Sequence, residues 1–254
     1  AMLCEKARDY AGELVWFSLE PENPIIISHT DTGGLAFVLD GDELVKLEDG
    51  ARIVICRSHE IPIAMGGAAR HNVANALSAA ALTDALGVSM KAIRDGLRTM
   101  LQDENPGRSN LYDLNDRSVL VDFAHNPAAM MALFDMARAV PAKRRVLCFG
   151  QAGDRTDALI RELARDAWAI GLDRVIVSEL AAYHRGRQHG EVFAIIKDEL
   201  VRCGAYESQI EHNETEMESF NSAIEWAQPG DLVIMLALGG AAPVQARLKE
   251  LGAQ

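Results

Sequence analysis

The chain has 254 residues, enough for at least one full core and, by size alone, about two domains. Its 37 acidic residues outnumber 25 basic ones and leave a net charge of -12. That balance excludes a general nucleic-acid or anionic-membrane binder, because such partners need clustered Lys and Arg against their phosphates. The four cysteines, Cys4, Cys56, Cys148 and Cys203, are widely spaced without a Cys-x-x-Cys pair, so no metal ligand set and no disulfide framework is expected. No run has the length and apolarity of a membrane helix, and the first twenty residues lack the order of a signal peptide. The expectation is a cytoplasmic protein whose partners are small molecules or proteins, with homo-oligomers left open.

In chain order, residues 24 to 65 alternate short apolar runs with turn signals. The runs are Pro24-Ile25-Ile26-Ile27-Ser28, Ala36-Phe37-Val38-Leu39, Leu44-Val45-Lys46-Leu47 and Arg52-Ile53-Val54-Ile55-Cys56. Gly33-Gly34, Asp40-Gly41 and Asp49-Gly50 separate them. Such runs joined by Asp-Gly predict an antiparallel meander of hairpins. A helix is predicted from Asn72 through Leu86, closed by Gly87 as the residue after its cap, and a second from a Ser89 N-cap to about Met100. The polar stretch QDENPGRSN carries Pro106-Gly107 and marks the linker. Two domains are therefore expected, 1–106 and 107–254.

Beyond the linker the rhythm becomes strand, helix, strand, helix. Strands are predicted at Val119–Asp122, Val146–Phe149, Val175–Ser178 and Leu232–Leu236, with helices near 127–139, 157–170, 190–202, 216–227 and 243–251. Apolar strand runs without alternation, separated by amphipathic helices, indicate an α/β domain with a mostly parallel sheet covered on both faces, Rossmann-like in organisation. In such sheets ligands bind at the carboxyl ends of the strands.

The turn VDFAHNPAAM sits at one of those ends. Asn126 followed by Pro127 reads as an N-cap and a first helical proline, a structural role. Asp122 is costly to bury unless donors reach it, and sugar hydroxyls are suitable donors. His125, near a helix N-terminus, is held neutral and able to accept or donate a hydrogen bond; as a lone residue it equally reads as a packing histidine. In GGAARHNVANALSAAAL, His71, Asn72 and Asn75 open a helix, and the two asparagines share a face from which amides could read a base edge. Capping for Asn72 and an ordinary surface position for Asn75 are the plain alternatives. Arg108 lies in the linker, and Gly150, Gly153, Asp154 and Arg155 follow a strand in CFGQAGDRTD, a turn that could hold a phosphate or simply leave the strand.

Taken in order, HNVANA at 71–76, GR at 107–108, DFAHNP at 122–127 and FGQAGDR at 149–155 resemble the motifs of the Mur ligase superfamily. YHRGRQHGEV at 183–192, PENPIIISH and GGLAF resemble its cyanophycin synthetase branch, and LALGGAAPVQ departs from the peptidoglycan branch. The resemblance implies the C-terminal part of a central ATP-binding domain, built of β-hairpins and helices, followed by a Rossmann-like C-terminal domain. It implies ATP-dependent ligation of a carboxylate to an amine through an acyl phosphate, forming a peptide bond with an amino-acid or peptide substrate and using Mg²⁺. By that resemblance His71, Asn72 and Asn75 lie at the adenine, Arg108 and Asp122 hold the ribose, and His125 sits beside the nucleotide as the one candidate catalytic group. Gly153, Asp154 and Arg155 would serve the substrate. Arg185 and Arg187 would bind its carboxylates, or else pair with local acids such as Glu191.

One departure bears on activity. The family cradles its triphosphate in a loop ending Gly-Lys-Ser/Thr, and no Gly-Lys pair occurs in the 254 residues. Magnesium ligands of the family have no counterpart here either. The chain is thus expected to begin partway through a central domain, with the missing N-terminal part as its partner; Ala1 before Met2 suits a cloning remnant. A non-catalytic binding module of the same fold is the alternative. Phosphoryl transfer depends on positioning by that loop, its lysine and Mg²⁺. Titrated calorimetrically with ATP, this chain is therefore expected to bind weakly, with no dependence on Mg²⁺ and no hydrolysis; micromolar, magnesium-dependent binding would show that phosphate recognition has been rebuilt.

Overall fold

A computed structural model describes residues 2–7 and 9–253, so Ala1 lies outside the described residues. The chain divides into two compact units, the first ending at Leu101 and the second starting at Gln102.

The first unit runs through α1 (Met2–Ala7), β1 (Val15–Ser18), α2 (Pro24–Thr30), β2 (Leu35–Asp40), β3 (Glu43–Glu48), β4 (Ala51–Arg57), α3 (Arg70–Ala85) and α4 (Met90–Thr99). Its sheet has the order β1-β2-β3-β4, with β1 parallel to β2 and the rest an antiparallel meander. Asp49 and Gly50 both adopt positive φ, 49° and 75°, as a two-residue type I′ hairpin requires. Phe37, Leu39, Leu44 and Ile55 of the sheet pack with Val73, Ala76, Leu77 and Ala80 of α3, whose alanines let the helix approach closely. The helix ends as expected: Gly87 takes φ 79°, its N–H bonds Asp84 O at 2.8 Å and Val88 N–H bonds Thr83 O at 3.0 Å, which is a Schellman closure. Ser89 caps α4 by accepting from Ala92 N–H at 3.3 Å. Arg94 of α4 donates to the carbonyls of Ile55 and Val54, covering part of the free edge of β4.

One run departs from the expected meander. Pro24 to Ser28 is helical, because the Asn23 side chain accepts from Ile25 N–H at 3.0 Å and Pro24 occupies the first helical position. Those start signals outweigh the strand preference of three successive isoleucines, of which Ile26 alone is buried.

The second unit contains β5 (Asn110–Asp113), β6 (Ser118–Asp122), α5 (Pro127–Ala139), β7 (Arg145–Phe149), α6 (Asp157–Trp168), β8 (Arg174–Ser178), α7 (Glu191–Arg202), β9 (Ile210–Asn213), α8 (Glu216–Trp226), β10 (Leu232–Leu236) and α9 (Ala241–Glu250). The sheet order is β5-β6-β10-β7-β8-β9, parallel throughout except for β5. β5 and β9 went unforeseen; β9 reads Ile-Glu-His-Asn, too polar to stand out as a strand. On one face Phe220, Ala223, Val244 and Leu248 of α8 and α9 pack against Val119, Val121, Val146, Cys148, Val233 and Met235. The alternate strand residues Leu120, Leu147, Val175, Val177 and Ile234 are also buried, so both faces are covered and the strands read as continuous apolar runs. The last strand, β10, is inserted between β6 and β7, which opens a crevice at the carboxyl ends of these strands.

Because each unit buries a core of its own, a fragment of residues 102–254 is expected to unfold cooperatively in urea, at the midpoint that its core signals show in the whole chain. A fragment without a cooperative transition would contradict this.

Candidate functional site

Four strand ends in the second unit set the site. At the end of β6, Asp122 is 8% exposed, and its carboxylate accepts from Ser109 N–H at 2.7 Å, Ser109 Oγ at 3.1 Å and Ala124 N–H at 2.6 Å. The donors that burial demands are thus supplied by the chain, and Asp122 has no need of sugar hydroxyls. Its partner turn is built for this: Gly107 and Ser109 take positive φ, 74° and 53°, and Asn110 Oδ1 accepts from Gly107 N–H at 2.5 Å. The same turn presents Arg108, whose guanidinium lies 5.2 Å above the Phe123 ring.

Asn126 does cap α5, accepting from Ala129 N–H at 3.0 Å. His125 Nδ1 lies 3.0 Å from Phe123 O. A carbonyl only accepts, so Nδ1 carries a hydrogen, and in the neutral ring the lone pair is on Nε2.

Past β7, the turn 150–155 meets the turn 180–187. A Cβ on Gly150 would fall 2.6 Å from Ser178 O, and one on Gly153 would fall 1.9 Å from His184 O. Gly153 N–H donates to Tyr183 O at 2.8 Å. Arg187 locks the junction: Nε donates to Gly153 O at 2.8 Å, Nη2 to Arg155 O at 2.8 Å and Asp157 at 2.7 Å, and Nη1 to Glu191 at 2.8 Å. Of the two expectations for Arg187, substrate carboxylates or local acids such as Glu191, the second describes these bonds, and its fork is filled by the chain. Arg185, with φ 46°, pairs with Asp154 at 2.5 Å and lies 5.5 Å over Tyr183. Arg155 differs from both, for among the described residues its guanidinium has no hydrogen bond or ion pair.

Two further acids, neither singled out in the sequence, organise the remaining ends. Glu179, just beyond β8, is 6% exposed and accepts from His184 Nε2 at 2.6 Å, His212 Nε2 at 2.9 Å and Gly190 N–H at 3.3 Å. Burial pushes its carboxyl up, but the bonds from His212, Gly190 and His184 outweigh it and hold the group below the usual range. Glu216 opens α8 and accepts from Leu238 N–H at 2.6 Å and Gly239 N–H at 2.9 Å, fixing the turn after β10. Here burial wins and raises the carboxyl, although both amides oppose it.

Between these turns lies a cavity of about 250 Å³ lined by Phe123, His125, Gln151, Arg155, Tyr183 and Arg185. The structure therefore gathers His125, Arg155 and Arg185 at one cavity, and leaves Gly153 and Arg187 as its framework. His71, Asn72 and Asn75 belong to the first unit and form a group of their own. Asn72 does not cap α3, whose N-cap is Ala69; it is buried inside the first turn and donates to Ile63 O at 2.8 Å, while exposed Asn75 donates to its Oδ1 at 3.4 Å. Among the described residues no group of three His, Cys, Asp or Glu side chains is arranged for a metal ion, and no helix is long and apolar enough to cross a membrane.

A family model described as Mur ligase, glutamate ligase domain, matches residues 107–239. The chain is 30% identical to cyanophycin synthetase of Geminocystis herdmanii and 32% identical to that of Crocosphaera subtropica, in each case over 92% of its own length. It spans only about a quarter of those relatives, 26% and 27%. It is also 33% identical to UDP-N-acetylmuramoyl-L-alanyl-D-glutamate--2,6-diaminopimelate ligase of Corynebacterium efficiens, over 71% of this chain and 34% of that one. Among solved structures it is similar in fold to E. coli FolC in complex with DHPP and ADP, with a TM-score of 0.64 and 19% identity over 97% of this chain and 56% of that one. A murein peptide ligase from Psychrobacter arcticus gives a TM-score of 0.57 and 21% identity over 94% of this chain and 46% of that one.

Gly153→Ala is expected to cost about 3 kcal/mol, the upper end of an overpacking penalty, since its Cβ would strike backbone at 1.9 Å. Gly96→Ala, in α4 with nothing within 4 Å of its Cβ, should instead stabilise by up to about 1 kcal/mol. Urea melts compare the two; equal effects would show that the 153–184 junction is slack.

Proposed function

The chain belongs to the Mur ligase family, and from that premise we propose that it forms the amino-acid side of an ATP-dependent carboxylate–amine ligase resembling cyanophycin synthetase. In that reaction a carboxylate oxygen takes the terminal phosphoryl group of ATP to give an acyl phosphate. The amine nitrogen then attacks the acyl carbon, phosphate leaves and the nitrogen loses a proton. An amine-bearing amino acid brings its own carboxylate, and that is the group the cavity suits.

The observation that carries this reading is Arg155, whose guanidinium makes no hydrogen bond or ion pair among the described residues and stands on the wall of a cavity at the strand ends, with Asp154 near enough only to feel its charge. Bidentate pairing with a carboxylate is its natural use. Arg185 adds positive charge on the same wall, although Asp154 shares it. His125 Nε2, the ring nitrogen that Phe123 O leaves unengaged, is in the neutral ring the group suited to receive the proton that the amine gives up. Within the first unit, His71, Asn72 and Asn75 keep the role that the family resemblance implies; within the second, Arg108 above Phe123 is the group left for the nucleotide. Asp122 would act there through the Gly107–Ser109 turn that it holds. Mg²⁺ would neutralise the phosphates when bound, and no residue described here is assigned to it.

With ¹⁵N-labelled arginine side chains, titration of the chain by L-arginine or L-aspartate is expected to shift the Arg155 guanidinium signals and leave those of Arg187 in place. In a protein that extends through the phosphate-binding loop, Arg155→Ala should raise the KM of the amino acid at least tenfold, about 1.4 kcal/mol, and leave that of ATP unchanged. An unmoved Arg155 signal with both amino acids, together with an unchanged amino-acid KM, would sink the reading.

A further inference from the structure

Three of the chain's seven histidines converge behind the cavity wall. His184 lies in the turn 180–187, His212 on β9 and His189 before α7. Glu179 joins the first two, one imidazole on each carboxylate oxygen: His184 on Oε1 and His212 on Oε2. Phe193 of α7 stacks on His212 with ring centroids 4.2 Å apart and planes within 4°. His189 packs 5.8 Å from His212 and 6.3 Å from His184, and its Nε2 reaches Glu214 at 2.9 Å. Gly190 N–H completes the set on Glu179 at 3.3 Å.

Such an arrangement has a chemical consequence. An ionised carboxylate only accepts, so both imidazoles must present N–H at Nε2. The tautomer of each ring is therefore dictated by Glu179. A buried carboxylate with two imidazole donors and an amide is fully used, and loosening any partner leaves charge uncompensated. The turn it holds is the one that bears Tyr183 and Arg185, two walls of the cavity. His184 stands between those two residues in sequence, so its bond to Glu179 anchors the middle of the wall. Arg187 fixes the far side of the same turn to Gly153 and Arg155.

We propose that Glu179 is a positioning residue for the cavity: it sets the Nε2–H tautomers of His184 and His212 and, through His184, holds Tyr183 and Arg185 in place. The effect on amino-acid binding rests on the function proposed above, whereas the effect on the turn does not.

Glu179→Gln keeps the size and one accepting oxygen, but turns an NH₂ group toward one imidazole. That ring must then accept at Nε2 and move its hydrogen to Nδ1. Imidazole ¹⁵N spectra of the whole chain, taken at a pH where both rings are neutral, are expected to show both as Nε2–H tautomers before the substitution, and one switched to Nδ1–H after it. Amide exchange across 180–187 should quicken at least tenfold, while Val175, Ile176 and Val177 of β8 keep their protection. If the variant fails to fold, His184→Ala removes only the bond to the turn. Exchange in 180–187 should again rise tenfold with His212 still Nε2–H. Unchanged tautomers in Glu179→Gln, or unchanged exchange of the turn in His184→Ala, would overturn the proposal. Weaker binding of L-arginine or L-aspartate in the variants would extend it to the ligand. If neither amino acid binds the parent chain, the proposed ligand is lost while the tautomer and exchange results stand by themselves.

Discussion

The closeness of two turns is the constraint on which the site depends. Gly153 has no side chain because the carbonyl of His184 occupies the place where a Cβ would go, 1.9 Å from it. With that approach secured, Arg187 reaches the carbonyls of Gly153 and Arg155 and joins Asp157 to Glu191. The turn that leaves β7 and the turn that follows β8 thus become one body. A cavity between them keeps its shape only while that body is rigid, since each turn alone lacks regular hydrogen bonding.

Buried carboxylates do the corresponding work at the other strand ends. Asp122 gathers Ser109 and Ala124, Glu179 gathers two imidazoles and Gly190, and Glu216 gathers Leu238 and Gly239. Each acid takes up backbone N–H groups that no helix or strand bond engages. Against its burial the carboxyl of Glu179 is driven down by His212, Gly190 and His184, while that of Glu216 is driven up by burial that its two amides do not offset. The linkage also differs in sign. Stability from Glu179 is present above its unfolded value and fades as pH falls through its lower folded value; Glu216 gains from protonation as pH falls through its raised one.

How much of this was legible in the sequence follows from the range of each interaction. Caps and turns are local, and Asn126-Pro127, Ser89, Gly87 and Asp49-Gly50 all behave as their chemistry dictates. The parallel strands were visible because burial on both faces leaves unbroken apolar runs. Pro24–Ser28 carries two opposed signals, β-branched residues that match a strand and an Asn-Pro start that opens a helix, and the start signal prevails. The partners of Asp122, Arg187 and Glu179 were hidden for a different reason. Beside near ones such as Ala124, Glu191 and His184, the deciding partners lie 13 to 34 residues away in sequence, as Ser109 and Asp122, His212 and Glu179, and Arg187 and Gly153 show. Spacing arguments reach one turn of helix or one hairpin, and no further. The motif HRGRQHGE displays two arginines, yet nothing local tells which one the fold will use up.

The answer to that question separates framework from ligand chemistry. An arginine held by two carbonyls and two carboxylates has already lost its rotamer freedom and its hydration, so a substrate would have to displace bonds of equal quality to engage it. Arg187 is in that state. Arg155 is held by its main chain alone, through the carbonyl that Arg187 fixes, so the position of its Cα is set while its guanidinium keeps its donors. Preorganised backbone with an unspent side chain is the combination that makes a recognition group: the entropy of placing it has been lost on folding, and the hydrogen bonds remain to be made. In the function proposed above, with Asp154 sharing the charge of Arg185, Arg155 would be the cation that draws a carboxylate to a chain of net charge -12. The filled fork of Arg187 is thus the reason the open one of Arg155 can serve.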